Sequence, residues 1–282
     1  MFRIIKKKIL APSIKLINVF APEIAARAQP GQFIILRIGE RGERIPLTIA
    51  DSEQKSGTLT LIFREVGRTT VQLGKLNEGD YILDVVGPLG KQFEIDEFGR
   101  VICVGGGVGV APIYPVARAL KRAGNEVISV IGARSRDYLI LVEEMKAVSD
   151  QLFTATDDGS AGQQGCAPDV LKKILEKEAG IGLVVAMGPL VMMKAVAELT
   201  RPYQIKTVVS LNPIMVDGTG MCGACRVTVG GETRFACVDG PAFDGHLVDW
   251  PVVIQRARMF RAEEKKAMEI YCTGSDCLCQ IR

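Results

Sequence analysis

The chain has 282 residues, 48% of them hydrophobic and 24% charged, which is typical of globular proteins and excludes disordered, collagen-like and coiled-coil classes. Its 35 basic and 32 acidic residues give a formal charge of +3 and are spread along the sequence, so nothing indicates a nucleic-acid-binding surface. The longest uncharged stretches fall short of the roughly 20 apolar residues that a membrane span needs. We therefore expect a soluble, cytoplasmic protein of about two domains, with no nucleic-acid partner and no membrane span.

The first part of the chain carries short apolar runs separated by turn signals. QFIILRI, TLTLIF and DYILDVV are interrupted by PG, SG and EGD within residues 1–98. Many short strands with period-two alternation are typical of an antiparallel barrel or sandwich. We assign residues 1–98 to an antiparallel β-barrel.

The pattern changes in residues 99–210, where β-branched runs such as EVISVIGA alternate with helical segments such as APDVLKKILEKEAG. This alternation indicates an α/β domain with a parallel sheet and crossover helices. Residues 211–282 are first rich in glycine and cysteine and then predict one helix over about 252–270. The predicted fold class is therefore a β-barrel, an α/β nucleotide-binding domain and a small C-terminal segment. The sequence leaves open whether the last helix folds back or docks to a partner.

A glycine-rich turn follows the first strand of the second domain. VICV runs into GGGVGVAP, with Gly107, Gly109 and Pro112 in a G-x-G-x-x-P spacing. Such a turn presents free amides and the positive end of a helix dipole to a phosphate. We predict a nucleotide phosphate site here, the alternative being a strand–helix corner that is tight for packing alone.

The C-terminal segment contains DGTGMCGACRVTVGGETRFAC. Plant-type [2Fe–2S] proteins have a C-x4-C-x2-C run and a more distant cysteine, and their glycine-rich loop aims amides at the cluster. Here an aspartate replaces the first cysteine, and oxygen is a harder donor than thiolate. The predicted ligands are Asp217, Cys222, Cys225 and Cys237.

Two alternatives to this ligand set remain. Three cysteines and a fourth donor could instead bind zinc. Asp217 could also belong to a simple Asp-Gly turn, with the fourth iron ligand supplied by Cys272, Cys277 or Cys279.

A G-x-G-x-x-P turn after a barrel resembles the ferredoxin-NADP reductase family, and RIPLTIAD resembles that family's flavin motif of an arginine followed by a hydroxyl residue. A guanidinium suits the FAD pyrophosphate, and a hydroxyl suits the redox-active edge of the flavin ring. Leu47 replaces the usual tyrosine, so aromatic stacking is lost. The resemblance assigns FAD to Arg44, Pro46, Leu47 and Thr48, with Thr48 as the catalytic residue.

Three further segments resemble landmarks of this family: VGRTT, TDDGS and AMGPLVMM. The first matches a second flavin-phosphate loop, and the other two match the nicotinamide side of the nucleotide domain. The two aspartates could equally form an Asp-Gly turn. The residues assigned in this way are Gly67, Thr69 and Thr70 for FAD, and Asp157, Asp158, Gly188 and Pro189 for the nicotinamide nucleotide.

The choice between NAD and NADP rests on GARSRDYL, which follows the second strand of the parallel sheet. Arg134, Ser135 and Arg136 could hold a 2′-phosphate, and no acidic residue stands there to bind a free 2′-hydroxyl. The residues favour NADP(H), whereas the family resemblance favours NAD(H). The balance falls narrowly on NAD(H).

The order of barrel, nucleotide domain and [2Fe–2S] segment resembles the electron-transfer subunit of dihydroorotate dehydrogenase. It resembles still more the small (alpha) subunits of electron-bifurcating NADH-dependent ferredoxin:NADP oxidoreductases. The resemblance implies hydride exchange between NAD(H) and FAD, with single electrons passing through the cluster to or from a larger flavin and [4Fe–4S] subunit, and ferredoxin served indirectly. The alternatives are the dihydroorotate dehydrogenase subunit itself and, from a different class, a non-catalytic zinc-binding regulatory or scaffold module.

Two cysteines lie outside the cluster-like segment. Cys103 stands within the apolar run VICV, so we expect it to be buried and inert. Cys166 precedes a predicted helix whose start could lower the pKa of its thiol.

Overall fold

The structure is a computed structural model and describes residues 1–273. The strands are β1 (Phe2–Ala11), β2 (Ile14–Phe20), β3 (Phe33–Arg37), β4 (Ile45–Glu53), β5 (Thr58–Arg64), β6 (Tyr81–Ile82), β7 (Asp84–Leu89), β8 (Arg100–Gly106), β9 (Glu126–Ala133), β10 (Gln151–Thr156), β11 (Gln163–Gln164), β12 (Ile181–Met187), β13 (Lys206–Ser210), β14 (Arg226–Val229), β15 (Glu232–Phe235) and β16 (Ala242–Asp244). The α-helices are α1 (Pro22–Ala25), α2 (Arg68–Lys75), α3 (Val110–Arg122), α4 (Val142–Ala147), α5 (Ala167–Lys177), α6 (Leu190–Thr200), α7 (Trp250–Arg256) and α8 (Arg261–Thr273).

The first seven strands form one antiparallel sheet in the order β6-β1-β2-β5-β4-β3-β7. The two end strands follow each other directly in the chain, and the Leu83 amide between them donates to the Ile38 carbonyl, so the sheet curls into a nearly closed barrel. Alternate residues of β5, such as Leu59 and Phe63, point inward and are buried because side chains alternate across a strand. Leu73 of α2 is also buried in this core, which places α2 on the barrel.

The second sheet has the order β11-β10-β9-β8-β12-β13-β16, and its strands β8 to β13 pair in parallel. Its central strands are buried on both faces: Ile102 and Val104 belong to one hydrophobic core, and Val101 and Cys103 to another. Helices α5 and α6 pack in the first core and α3 in the second. Continuous apolar strands between helix layers are what a parallel sheet requires.

The barrel and the parallel sheet meet where α3 crosses β4. The Arg118 guanidinium donates to both carboxylate oxygens of Asp51, at 3.0 and 2.6 Å. A two-pronged pair of this kind fixes orientation as well as distance. The carboxyl ends of the parallel strands are therefore held next to the barrel.

The C-terminal segment joins both of these units. Its strand β16 pairs antiparallel with β13 and extends the second sheet, while β14 and β15 form a separate hairpin. On the barrel side, a Cβ added to Gly218 would lie only 2.6 Å from Leu89 Cδ1 and 2.9 Å from Ile35 Cδ1. The glycine-rich loop is therefore packed directly against β3 and β7.

The prediction of one helix over about 252–270 is wrong, because the chain turns between α7 and α8. Phe260 adopts a left-handed conformation, with φ of 63°, which ends the helical path. Helix α8 folds back onto the barrel, where Lys75 Nζ of α2 donates to Tyr271 Oη at 2.7 Å and lies 4.5 Å from the ring centroid. Among the described helices, none combines the length and the apolar character that crossing a bilayer requires.

Candidate functional site

The glycine-rich turn lies between β8 and α3 and lines a cavity of about 460 Å³, here called the first cavity. Gly106, Gly107 and Val108 form part of its wall, and Gly107 has a φ of 56°, which favours glycine. Gly109 packs instead against the end of β12, since a Cβ there would lie 2.3 Å from the Met187 carbonyl oxygen. Pro112 lies in the first turn of α3 and is not among the described lining residues.

The opposite wall of the first cavity comes from the ends of β9 and β10. Arg134 and Asp157 line it together with Tyr138, and the Arg134 guanidinium carbon lies 4.4 Å from the Tyr138 ring centroid. Such stacking holds the cation in one place. Ligands of open parallel sheets bind at the carboxyl ends of the strands, which is where this cavity lies.

The neighbouring predicted residues hold the loops of this wall. Ser135 precedes the 3-10 turn that Arg136 begins, and the Arg136 amide donates to Ser160 Oγ at 2.7 Å. Asp158 Oδ1 accepts from the amide and the hydroxyl of Ser160, and these hydrogen bonds lower the pKa of Asp158. Asp158 therefore belongs to an Asp-Gly turn, while Asp157 reaches the cavity.

Most lining residues of the first cavity were not predicted from the sequence, among them Arg64 at the end of β5 and Cys166 at the start of α5. The Cys166 thiol donates to Asp169 Oδ2 at 3.0 Å. Burial and this hydrogen bond raise the pKa of Cys166, so the expectation of a lowered pKa is wrong. Burial, and after it the hydrogen bond to the Asp169 carboxylate, outweigh any effect of the helix start.

A second cavity of about 740 Å³ lies where the barrel, the parallel sheet and the C-terminal segment meet. Proline 189 lines both cavities, so the two share a wall. Residues of all three parts of the chain line the second cavity. They are Pro46 and Val66 of the barrel, Gly188 and Leu190 between the end of β12 and the start of α6, and Ala224, Arg226, Arg256 and Phe260 of the C-terminal segment.

The residues of the predicted flavin motif lie along β4 and just before it. Arg44 is exposed immediately before this strand, and Pro46 reaches the second cavity. Leu47 packs at the edge of the barrel core. Thr48 is half-buried and pairs with Phe33 of β3.

The second flavin-like loop lies next to the first. The Thr69 hydroxyl donates to the Glu43 carboxylate, which places the start of α2 beside Arg44. Thr70 Oγ1 accepts from the Gly67 amide at 3.1 Å, and this closes the first turn of the helix. The structure thus brings together two segments that are distant in sequence, with a helix start and an arginine side by side.

The predicted iron ligands occupy one loop and the hairpin that follows it. The Sγ atoms of Cys225 and Cys237 are 3.2 Å apart and both residues are buried, whereas Cys222 is exposed. Burial and the neighbouring Cys225 thiol raise the pKa of Cys237, and only the hydrogen bond from the Gly220 amide acts in the opposite direction. Amides aimed at sulfur are a feature of iron–sulfur sites.

Asp217 lies in the same loop, where its two carboxylate oxygens accept from the Thr219 and Cys222 amides, both at 2.9 Å. These bonds, that of Thr219 first, lower the pKa of Asp217. A carboxylate has about four lone-pair sites, so each oxygen keeps one for another partner. Asp217 is thus an ordered anion beside the thiols.

Three thiols and one carboxylate are donors that a two-iron cluster can accept. Over the described part of the chain, no three Cys, His, Asp or Glu side chains converge on one point. The ligands of a [2Fe–2S] cluster are divided between two irons and need not converge. Cys277 and Cys279, the alternative fourth ligands, lie outside the described residues, as does the side chain of Cys272.

Known proteins match these features. Residues 212–249 match the iron–sulfur cluster binding domain of dihydroorotate dehydrogenase B, and residues 103–198 match an oxidoreductase NAD-binding domain. The dihydroorotate dehydrogenase B (NAD(+)) electron transfer subunit homolog of Thermotoga maritima is 49% identical over 266 residues, which cover 94% of each chain. The chain belongs to the family of these electron-transfer subunits.

Other members of the family cover nearly the same length. The dihydroorotate dehydrogenase B electron transfer subunit of Geobacillus thermodenitrificans is 32% identical over 85% of this chain and 94% of its own. A solved structure described as NADH-dependent reduced ferredoxin-NADP oxidoreductase, studied for flavin-based electron bifurcation, is 47% identical with a TM-score of 0.91, covering 96% of this chain and 98% of that one.

These similarities confirm the predicted fold class, the family resemblance and the assignment to oxidoreductase electron-transfer subunits. They also confirm a nicotinamide nucleotide and an iron–sulfur cluster as cofactors of the matched segments. Membership of a subunit family implies a larger partner chain.

Proposed function

We propose that this chain exchanges a hydride between NAD(H) and an FAD held at the barrel, and that single electrons pass through a [2Fe–2S] cluster to or from a larger subunit. The observation that carries this proposal is the position of Pro189, which lines both cavities. A nicotinamide in the first cavity and a flavin in the second would meet there. When bound, FAD supplies the conversion between two-electron and one-electron chemistry.

The chain's own residues supply binding and orientation for this chemistry. Arg44 and the start of α2 offer a cation and helix amides for the FAD phosphates. Thr48 offers its hydroxyl to the flavin ring. On the other side of Pro189, Gly107 and Arg134 line the first cavity and would hold the nucleotide phosphates and the adenosine end.

The second cavity also touches the cluster segment, through Ala224 between Cys222 and Cys225. A group bound in it would therefore lie between the nucleotide segment and the predicted iron ligands. This arrangement supports electron transfer within the chain and needs no partner to complete it.

The exposed side of the cluster loop supports docking of the larger subunit. Met221 is 88% exposed, and Val216 and Val238 beside it are 44% and 39% exposed. Apolar side chains grouped on a surface mark sites of protein contact. We propose that a larger subunit with its own flavin and [4Fe–4S] centres docks here, and that ferredoxin exchanges electrons with this chain only through that subunit.

A visible spectrum of the anaerobically purified chain, with flavin, iron and zinc analysis, tests the proposal. We expect one FAD and a two-iron cluster, and bleaching of the flavin bands by NADH faster than by NADPH. A colourless protein containing zinc would instead support the non-catalytic regulatory or scaffold module.

The second candidate function is that of a dihydroorotate dehydrogenase electron-transfer subunit, favoured by the 49% identity to the Thermotoga maritima homolog. Anaerobic copurification decides between the two. A partner that oxidises NADPH and contains [4Fe–4S] centres supports the main proposal, whereas a partner that oxidises dihydroorotate supports the second.

A further inference from the structure

Two arginines hold the short turn between Cys222 and Cys225. Arg226 Nη1 donates to the Gly223 carbonyl at 3.1 Å, and Arg256 Nη2 donates to the Ala224 carbonyl at 3.0 Å. Both arginines also line the second cavity. They are therefore the charged residues of this cavity that also bind the turn of the predicted iron ligands, while Arg261 and Glu264 line the cavity elsewhere.

Arg256 differs from Arg226 in its surroundings. Its Nε is buried and has no hydrogen-bond partner among the described residues, while Arg226 is exposed. Burial and the nearby Arg226 lower the pKa of Arg256, and Cys225 opposes them.

Helix α7 ends on Arg256, whose guanidinium donates to the Ala224 carbonyl and which also lines the cavity of about 740 Å³. Because Nε is shielded from solvent, the feature that Arg256 brings to the cavity wall is its positive charge.

We propose that Arg256 is a positioning residue that links the two redox sites: it fixes the cluster loop through Ala224 and places its positive charge beside the FAD in the second cavity. This inference rests on the proposed function. Each centre gains negative charge when it is reduced, and a nearby cation in a medium of low dielectric stabilises that charge. Arg256 therefore raises the reduction potentials of both centres together.

Arg226 is the matched control for this role. It makes the same kind of bond to the adjacent carbonyl, but solvent screens its charge. Removing its charge should therefore shift the potentials less. Arg256→Lys keeps the positive charge and loses the forked geometry and the Nε donor. This variant therefore distinguishes the effect of the charge from that of the guanidinium hydrogen bond.

The experiment compares wild type, Arg256→Gln, Arg256→Lys and Arg226→Gln after anaerobic purification. Iron and FAD per chain are measured first. Redox titrations then follow the flavin by visible absorbance and the cluster by electron paramagnetic resonance. We expect Arg256→Gln to retain both cofactors, with both potentials more negative than in wild type and by more than in Arg226→Gln. In Arg256→Lys, which keeps the charge, both potentials should stay near those of wild type.

Unchanged potentials in Arg256→Gln, or equal shifts in Arg226→Gln, would overturn the inference. If Arg256→Gln does not retain its cofactors, Arg256→Lys decides: potentials near those of wild type support the role of the charge, and potentials lowered in spite of the retained charge overturn it. A wild-type protein that lacks FAD or iron overturns the proposed function and the inference with it. Wild-type cofactor content with unchanged variant potentials overturns the inference alone.

Discussion

The sulfur atoms of Cys225 and Cys237 lie 3.2 Å apart, although the two residues are twelve positions apart in the chain. The β14–β15 hairpin produces this contact by returning the chain to its starting point, and the Ala236 amide donates to the Cys225 carbonyl at 3.1 Å. Both cysteines pack with Phe33 and Ile35 of the barrel. The hairpin thus brings two of the predicted iron ligands together in a core beside the barrel.

Replacing Cys225 with serine should remove the cluster, because a hydroxyl is a poor substitute for a buried thiolate. We expect iron to fall to near zero while FAD content and flavin reduction by NADH stay within about two-fold of wild type, a margin near 0.4 kcal/mol. Iron analysis and the visible spectrum measure this. Cys103→Ser, in the core of the second sheet, is the control that should keep its iron; iron equal to wild type in Cys225→Ser would reject the ligand assignment.

Asp217→Cys tests whether the carboxylate binds iron. A ligand exchange from oxygen to sulfur should keep the cluster and shift its potential. Potentiometric titration and electron paramagnetic resonance follow the shift. If both signals match those of wild type, Asp217 serves only to accept the Thr219 and Cys222 amides. Asp217→Asn, which keeps an amide-accepting oxygen, is the companion variant for that loop role.

Arg134→Ala should affect NADPH more than NADH. Arg134 is stacked on Tyr138 in the first cavity, where a 2′-phosphate would gain a charge-assisted bond of about 1.5–3 kcal/mol. We expect Kd for NADPH to rise at least ten-fold and Kd for NADH by less than three-fold, measured by quenching of flavin fluorescence. Arg136→Ala is the control, because Arg136 is not among the described lining residues. Equal losses for both nucleotides would place Arg134 away from the 2′ position.

Cys166 gives a pH-dependent prediction. Its pKa is raised above the ordinary value of 9.0, so the thiolate is scarce at neutral pH and alkylation by iodoacetamide should be slow at pH 7. The rate should rise about ten-fold per pH unit up to that pKa. Asp169→Ala removes the acceptor that holds the proton and should speed labelling at pH 7. Bound NADH should slow labelling of either protein, and fast labelling of wild type at pH 7 would contradict the raised pKa.

Features of the fold and of the site that depend on neighbouring residues were the easiest to predict from the sequence. The glycine turn, the alternating barrel strands and the spacing of Cys222 and Cys225 each follow from neighbouring residues, so their existence was predictable. The direction of the Cys166 pKa shift was not predictable, because it depends on the burial of the thiol in the folded chain and on its contact with Asp169. The position of Arg256 depends on the turn at Phe260 and on how α7 packs. The hydrophobic periodicity of the sequence indicates neither of them.

The antiparallel strand β16 limits where this polypeptide can be truncated. It covers the outer edge of β13, and the loop that precedes the hairpin seals part of the barrel wall through Gly218. A version shortened after Ser210 would expose backbone groups along β13 and apolar atoms on the barrel, a combination that invites self-association. Residues 211–282 therefore also cover surfaces of the barrel and of the second sheet. Once they are removed, residues 1–210 should not remain monomeric.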